Sequence, residues 1–270
     1  MFNPIEGHIF CFNKPYTMTS FRIVSKVRGI LCHKLGIKEM KVGHAGTLDP
    51  LATGVLIVCT GKATKEIDRL QSGRKEYIAT LKIGATTPSF DMETEEDATY
   101  PIVHINRRMV ENVLKRFVGS IEQVPPTFSA VKIDGKRAYK MARKGKGSGI
   151  ELKSKTLVID EIELLSYDID SSRRAIKPQA INIKTMTAEE AALISDMTLQ
   201  PTITIRIVCS KGTYIRALAR DIGLALGSGA YLASLTRTRV GDYTIQESLD
   251  INTFEQYVDD ALKDNPNTEK

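Results

Sequence analysis

The 270-residue sequence contains no tryptophan, and only 6% of it is aromatic. Its four cysteines, Cys11, Cys32, Cys59 and Cys209, lie far apart with no C-x-x-C pair. That excludes a disulfide framework or a cysteine-based zinc site, and the expectation is reduced, mostly buried thiols. The four histidines, His8, His33, His44 and His104, lack metal-ligand spacing, so no metal is expected. There is no Walker loop and no G-x-G-x-x-G motif, so no nucleotide or other small-molecule cofactor is expected either. The longest strongly apolar run, residues 55–59, is far too short to cross a bilayer. The first residues, "MFNPIEGHIFCFNKPYT", lack the basic start and apolar stretch of a signal peptide. A cytoplasmic protein without a membrane partner is the expectation.

What is present is ordinary in bulk and uneven in detail. Hydrophobic content of 42% and charged content of 26% suit a soluble globular protein. The length can bury a sizeable core, as one large domain or two small ones. The net charge is +6. Residues 251–270 hold two lysines against five acids, a net of −3, so the first 250 residues carry +9. A basic body favours a polyanionic partner without sequence preference.

Hydrophobic spacing outlines the elements. Val24, Val27, Leu31 and Leu35 predict an amphipathic helix over 20–35, capped by Thr19 or Ser20. "VLIVCT" reads as a buried strand. "EYIATLKIG" alternates Tyr77, Ala79, Leu81 and Ile83 on one strand face. Residues 88–101, acidic and framed by prolines, read as a loop. A helix is expected over 106–118, with Gly119 as its stop. "TLVIDEIELLSY" and "TITIRIVC" read as strands, and a helix follows from Thr213 as N-cap to Gly227. In 168–200 only the capping box "TAEE", Thr187–Glu190, is legible. Interspersed strands and helices without regular βαβ units predict a mixed α/β (α+β) sheet and argue against a doubly wound nucleotide fold.

Four places have chemical content. "GHAGTLDPLATG" sets Asp49 before Pro50, which biases it to an extended backbone, and between Leu48 and Leu51. An ionised carboxylate in such apolar company needs a cation or goes neutral; a turn aspartate bonding its own backbone is the alternative. Arg216 stands in the first turn of a helix, where the dipole favours acids. It fits a cleft in which it pairs with a carboxylate or phosphate, or it is simply solvated. Tyr77 follows Arg74 and Lys75 and could stack on an unpaired base, or be half-buried core. Residues 132–155 hold nine lysines and arginines against two acids, among them Lys132, Lys136, Arg137, Arg143 and Lys144. That composition suits an arm on a phosphate backbone, or an exposed loop.

Taken together, "KVGHAGTLDPLATGVLIVCTGKATK", "KEYIATLKIG", "QVPPTFSAVKIDGKRAY" with "ARKG", and "CSKGTYIRALARDIG" resemble the TruB family of tRNA pseudouridine-55 synthases. The motifs run in the family's order from about Gly7 to Gly241. The resemblance implies the pseudouridine synthase fold: a central mixed, mostly antiparallel sheet flanked by helices, with a basic RNA-binding arm. It implies an isomerase acting on uridine-55 in the T loop of tRNA, monomeric and without a cofactor. Asp49 would be the catalytic aspartate, and His44 would contact the RNA where the uridine is flipped out. Tyr77 would stack on the target base, Arg216 would pair with Asp49, and Leu235 would wall the pocket. Lys132, Lys136, Arg137, Arg143 and Lys144 would belong to the arm that closes on the T stem-loop. The expected organisation is a catalytic domain over 1–250, a possible insertion at 168–200, and a short acidic tail over 251–270 with no room for a PUA domain. Thr17 stands where the family pattern usually has glycine. A non-catalytic RNA-binding or tRNA-folding protein, and an RNA-base glycosylase, are the competing readings.

Overall fold

The computed structural model describes residues 2–127, the backbone of Lys132–Ile133 and Lys136–Arg137, and residues 152–169, 180–182, 186–187, 189 and 201–264. The strands are β1 (Ile9–Lys14), β2 (Val42–His44), β3 (Ala52–Thr60), β4 (Lys75–Ile83), β5 (Ala85–Thr86), β6 (Ala98–Thr99) and β7 (Gly119–Gln123). They continue as β8 (Lys132–Ile133), β9 (Lys136–Arg137), β10 (Lys155–Asp168), β11 (Thr202–Cys209), β12 (Ala230–Val240), β13 (Tyr243–Thr244) and β14 (Leu249–Asp250). The α-helices whose bounds fall among the described residues are α1 (Ser20–Lys34), α2 (Ile67–Ser72), α3 (Arg107–Lys115), α4 (Ile215–Ala225) and α5 (Phe254–Lys263). The chain forms two compact units, Met1–Tyr77 with Thr236–Lys270, and Ile78–Leu235. The fold is mixed α/β, as expected.

In the first unit β1 pairs antiparallel with β3 (Phe12↔Leu56) and parallel with β14 (Phe12↔Leu249), while β2 pairs with β3 (Gly43↔Cys59). The run in β3 is continuously apolar because both of its faces are covered. Leu56 and Val58 face a core with Phe10, Phe12, Ile23, Val27 and Leu31, whereas Val55, Ile57 and Cys59 face a second core with Ala45, Leu70 and Val240. Thr19 is the N-cap of α1, accepting from the Arg22 amide. Thr17, in place of the family's usual glycine, nonetheless holds the left-handed conformation, with φ of 63°.

The stretch expected as an acidic tail is, through Lys263, a helix of this core. Ile251, Phe254 and Val258 are fully buried, and Phe254 meets Phe12 and Phe10 edge-on at 5.0 and 5.2 Å. Each such aromatic pair adds about 0.5–1.5 kcal/mol beyond burial. The acids of α5 that suggest a solvated tail include Glu255 and Asp259, which meet Lys34 of α1 at 3.1 and 2.8 Å.

In the second unit β10 is flanked antiparallel by β11 (Ile162↔Ile207) and β7 (Leu157↔Ile121), and α3 packs on β10 and α4. Asn106 caps α3 through the Met109 amide, and Gly119, at φ of 101°, opens β7. Tyr214, and not Thr213, is the N-cap of α4. It has no side-chain cap of its own; instead the Gln123 amide clamps its backbone, accepting from Tyr214 N at 2.9 Å and donating to Tyr214 O at 3.2 Å. The Thr213 hydroxyl donates to Ser210 O. Within 132–155, β8 and β9 form a two-stranded hairpin with Lys132 opposite Arg137. Arg143, Lys144 and most of 168–200, including two of the four residues of the "TAEE" stretch, lie outside the described residues.

Candidate active site

The turn that carries Asp49 leaves β2 at His44 and enters β3 at Ala52. Side chains from three other places hold its backbone. The buried Ser20 hydroxyl donates to Leu48 O at 3.0 Å and accepts from Leu48 N at 2.9 Å. Lys14, on the inward face of β1 after Phe10 and Phe12, donates to Pro15 O, Met18 O and Pro50 O at 2.9, 2.7 and 3.2 Å. Arg237 donates to Val55 O at 2.8 Å, Gly46 O at 3.2 Å and Thr47 O at 3.4 Å. The Asp49 carbonyl accepts from Ala52 N at 3.1 Å. Leu48 and Leu51 are buried beside it. Backbone carbonyls on either side of Asp49 are thus satisfied by groups remote in sequence.

Gly54 shows how closely the pieces fit. At φ of 99° it is left-handed, and a Cβ there would stand 2.1 Å from the Arg237 carbonyl oxygen. Only glycine allows β3 and Arg237 to meet so.

Burial pushes two basic groups at the turn toward their neutral forms. Lys14 has no exposed surface, and burial pulls it down to about 7, with the Asp49 carboxylate raising it and the Arg237 charge lowering it further. His44 is also held below the ordinary imidazole value, by burial first and by the Arg237 charge second. Among the described residues its Nδ1 is buried without a hydrogen-bond partner. Tyr77 is buried at the start of β4, as the core reading of this tyrosine has it.

In the second unit Arg216 is 5% exposed, so the solvated reading of this arginine does not hold. Its Nε stands 3.5 Å from Asp91 Oδ2, and Nη1 donates to Ser89 O at 3.1 Å. Asp91 is equally buried, and its Oδ1 accepts from the Ser89 hydroxyl at 2.6 Å and the Glu93 amide at 2.9 Å. The segment is tied to β12 by a bridge of Asp91 with Leu232 and by Leu232 N donating to Phe90 O. Composition alone makes 88–101 a solvated acidic loop and passes over Asp91. The usable signal is local: Asp91 lies between Phe90 and Met92, unlike the polar run Glu93–Asp97 that follows. Leu235 is buried on β12. His44, Asp49 and Tyr77 therefore belong to the first unit, Arg216 and Leu235 to the second.

Among the described residues no group of three or more His, Cys, Asp and Glu could hold a metal ion. No helix among them is long and apolar enough to cross a membrane. A cleft of 380 Å³ in the first unit is lined by the apolar Ile5, Ile37 and Met40 together with Lys41, Lys62 and Lys65, among others.

Residues 33–215 match the TruB family pseudouridylate synthase N-terminal domain, and residues 216–266 match the tRNA pseudouridylate synthase B C-terminal domain. The chain is 56% identical over 261 residues to the tRNA pseudouridine synthase B of Parabacteroides distasonis, covering 97% of this chain and 95% of that one. It is 55% identical over 254 residues to the protein of the same name from Phocaeicola vulgatus, covering 94% of each. Among solved structures it is similar to a chain of a Cbf5–Nop10–Gar1 complex, with a TM-score of 0.62 and 25% identity. That match covers 96% of this chain and spans 56% of the other.

Proposed function

The chain belongs to the TruB family of pseudouridylate synthases and is an enzyme of tRNA pseudouridine synthesis, and from that premise we propose that it isomerises uridine-55 in the T loop of tRNA with Asp49 as the catalytic carboxylate. The observation that carries this reading is the held turn: a half-buried aspartate between the buried Leu48 and Leu51, its neighbouring carbonyls taken by Ser20, Lys14 and Arg237. A protein that merely binds a phosphate backbone gains nothing from a fixed acid, which repels it.

The reaction breaks the C1′–N1 glycosidic bond, turns the uracil and rejoins it through C5; the C5 proton leaves to water and N1 takes a proton up. Substrate and product are isomers, so no co-reactant is needed. The uridine must leave its stack, at about a few kcal/mol. His44 is assigned to the RNA at the flipped nucleotide, Tyr77 to the target base, and Leu235 to the wall of the pocket. Arg216 is assigned as the cation that pairs with the Asp49 carboxylate and keeps it ionised. Lys132, Lys136, Arg137, Arg143 and Lys144 are assigned to the T stem-loop. The reading goes with a cytoplasmic monomer.

The test uses a tRNA transcript tritiated at C5 of uridine. Wild-type protein should release about one equivalent of tritium per tRNA at position 55, and Asp49→Asn should release none while binding tRNA within a few-fold. A transcript with cytidine at 55 should release none. Turnover by Asp49→Asn would remove Asp49 from catalysis; binding without release would leave an RNA-folding protein, and free uracil would indicate a glycosylase.

A further inference from the structure

Arg237 is one of the largest fully buried side chains of the protein, at 2% exposure. A guanidinium without solvent ordinarily requires a carboxylate, because an uncompensated buried charge costs several kcal/mol. Among the described residues, however, its hydrogen-bond partners are all backbone carbonyls: Val55 through Nε, Gly46 through Nη2 and Thr47 through Nη1. Those acceptors are not scattered. Gly46 and Thr47 lie on the approach to Asp49, and Val55 lies just beyond it in β3. Val55 is itself a fixed post, paired in register with Asn13 of β1 and fully buried.

The backbone of Arg237 takes part as well. Its carbonyl and amide press on Gly54, where even a methyl group would collide. One residue therefore touches the turn before Asp49 with its fork and the strand after Asp49 with both fork and backbone. The guanidinium is planar and rigid, so the distance between those two anchoring points is set by a single group. A residue that only filled core volume would have no reason to spread its donors over the two arms of one turn.

We propose that Arg237 is a positioning residue for the reaction, setting where the Asp49 carboxylate stands by clamping the carbonyls of Gly46 and Thr47 to that of Val55. The inference rests on the reading of Asp49 as the catalytic group. Arg237 does not touch substrate; it acts through the turn.

Arg237→Lys is the informative change. Lysine keeps the positive charge but is a point donor on a flexible stem, and it cannot span both arms of the turn. A displacement of about 1 Å at a reacting group costs on the order of a hundredfold in rate. Single-turnover tritium release from C5-labelled tRNA, with enzyme in excess, should therefore slow about a hundredfold, while the dissociation constant for tRNA stays within about threefold. Circular dichroism at the assay temperature establishes that the variant is folded. A folded Lys variant within threefold of the wild-type rate, or one whose loss is confined to tRNA affinity, overturns the proposal.

Asp49→Asn in the same assay keeps the two readings apart. If it is inactive while Arg237→Lys is fully active, only the positioning role fails; if it is active, the reading of Asp49 fails first. Should Arg237→Lys not fold, hydrogen exchange on the wild type decides. The amides of Ala45, Leu48 and Ala52, which donate to Ile57 O, the Ser20 hydroxyl and Asp49 O, should exchange as slowly as those of β3. Exchange at loop rates would mean that nothing clamps the turn, and the proposal falls.

Discussion

Replacing Lys14 by methionine isolates the cost and the use of one buried charge. Lys14 has no exposed surface, and burial brings its ammonium from 10.5 to about 7. A lysine whose folded pKa lies below its unfolded one binds fewer protons folded than unfolded between the two values. Stability therefore rises with pH through that window, here from about 7 to about 10.5, and is flat below it. One proton corresponds to about 1.4 kcal/mol per pH unit at the steepest. Between about pH 7.5 and about 9.5 the wild type should thus gain about 2–3 kcal/mol that Lys14→Met cannot.

The methionine also strands the carbonyls of Pro15, Met18 and Pro50, which Lys14 serves. An unserved buried acceptor costs about 1–3 kcal/mol, so the variant should be less stable overall by an amount that does not depend on pH. The slope, and not the offset, carries the test. Urea denaturation of both proteins at a series of pH values gives the difference curve, in which the tyrosines and cysteines common to both cancel. A difference that climbs above about pH 7 is expected. Parallel curves would refute the account, because they would mean that Lys14 keeps its ordinary proton affinity when folded.

Two further outcomes are expected. Asp91→Ala removes the carboxylate partner of a buried arginine in the second unit and should lower stability in urea by about 3 kcal/mol, the cost of breaking a buried pair; a loss under about 1 kcal/mol would show that Ser89 and the remaining contacts of Arg216 suffice without it. Replacing Lys132, Lys136, Arg137, Arg143 and Lys144 by glutamine should flatten the dependence of log K for tRNA on log salt by about 0.7–0.9 for each phosphate that is no longer neutralised, and an unchanged slope would remove 132–155 from the interface.

Most elements are legible because their apolar spacing matches one period. The alternation of Tyr77, Ala79, Leu81 and Ile83 corresponds to β4, and all four are buried. The three-and-four spacing before Leu35 corresponds to α1. The failures fall where charge is taken for exposure. Residues 251–264 carry acids, yet Ile251, Phe254 and Val258 are also spaced three and four apart, and that stripe decides the packing. The cap of α4 is displaced by one residue from its expected position because the group that holds Tyr214 is Gln123, which no local pattern around the helix could indicate.

The same error, in reverse, conceals the groups around Asp49. Lys14 follows Phe10 and Phe12 at the inward positions of β1, and Arg237 follows Leu235 at the inward positions of β12. Strand geometry sends residues two apart to one face, so both cations are committed to the interior by parity alone. A hydrophobicity pattern treats a charge at an inward position as noise that ends a strand. Physically it is a constraint, because a buried cation must meet acceptors. Here the acceptors are the carbonyls of Pro15 and Met18 and those of residues 46, 47, 50 and 55, the last four on either side of one aspartate. Asp91 obeys the same rule from the acidic side, a carboxylate between two apolar neighbours that meets Arg216. A charged residue in the inward register of an otherwise apolar stretch is therefore the sequence signal for the supports of such a site, and the order of the residues alone suffices to read it.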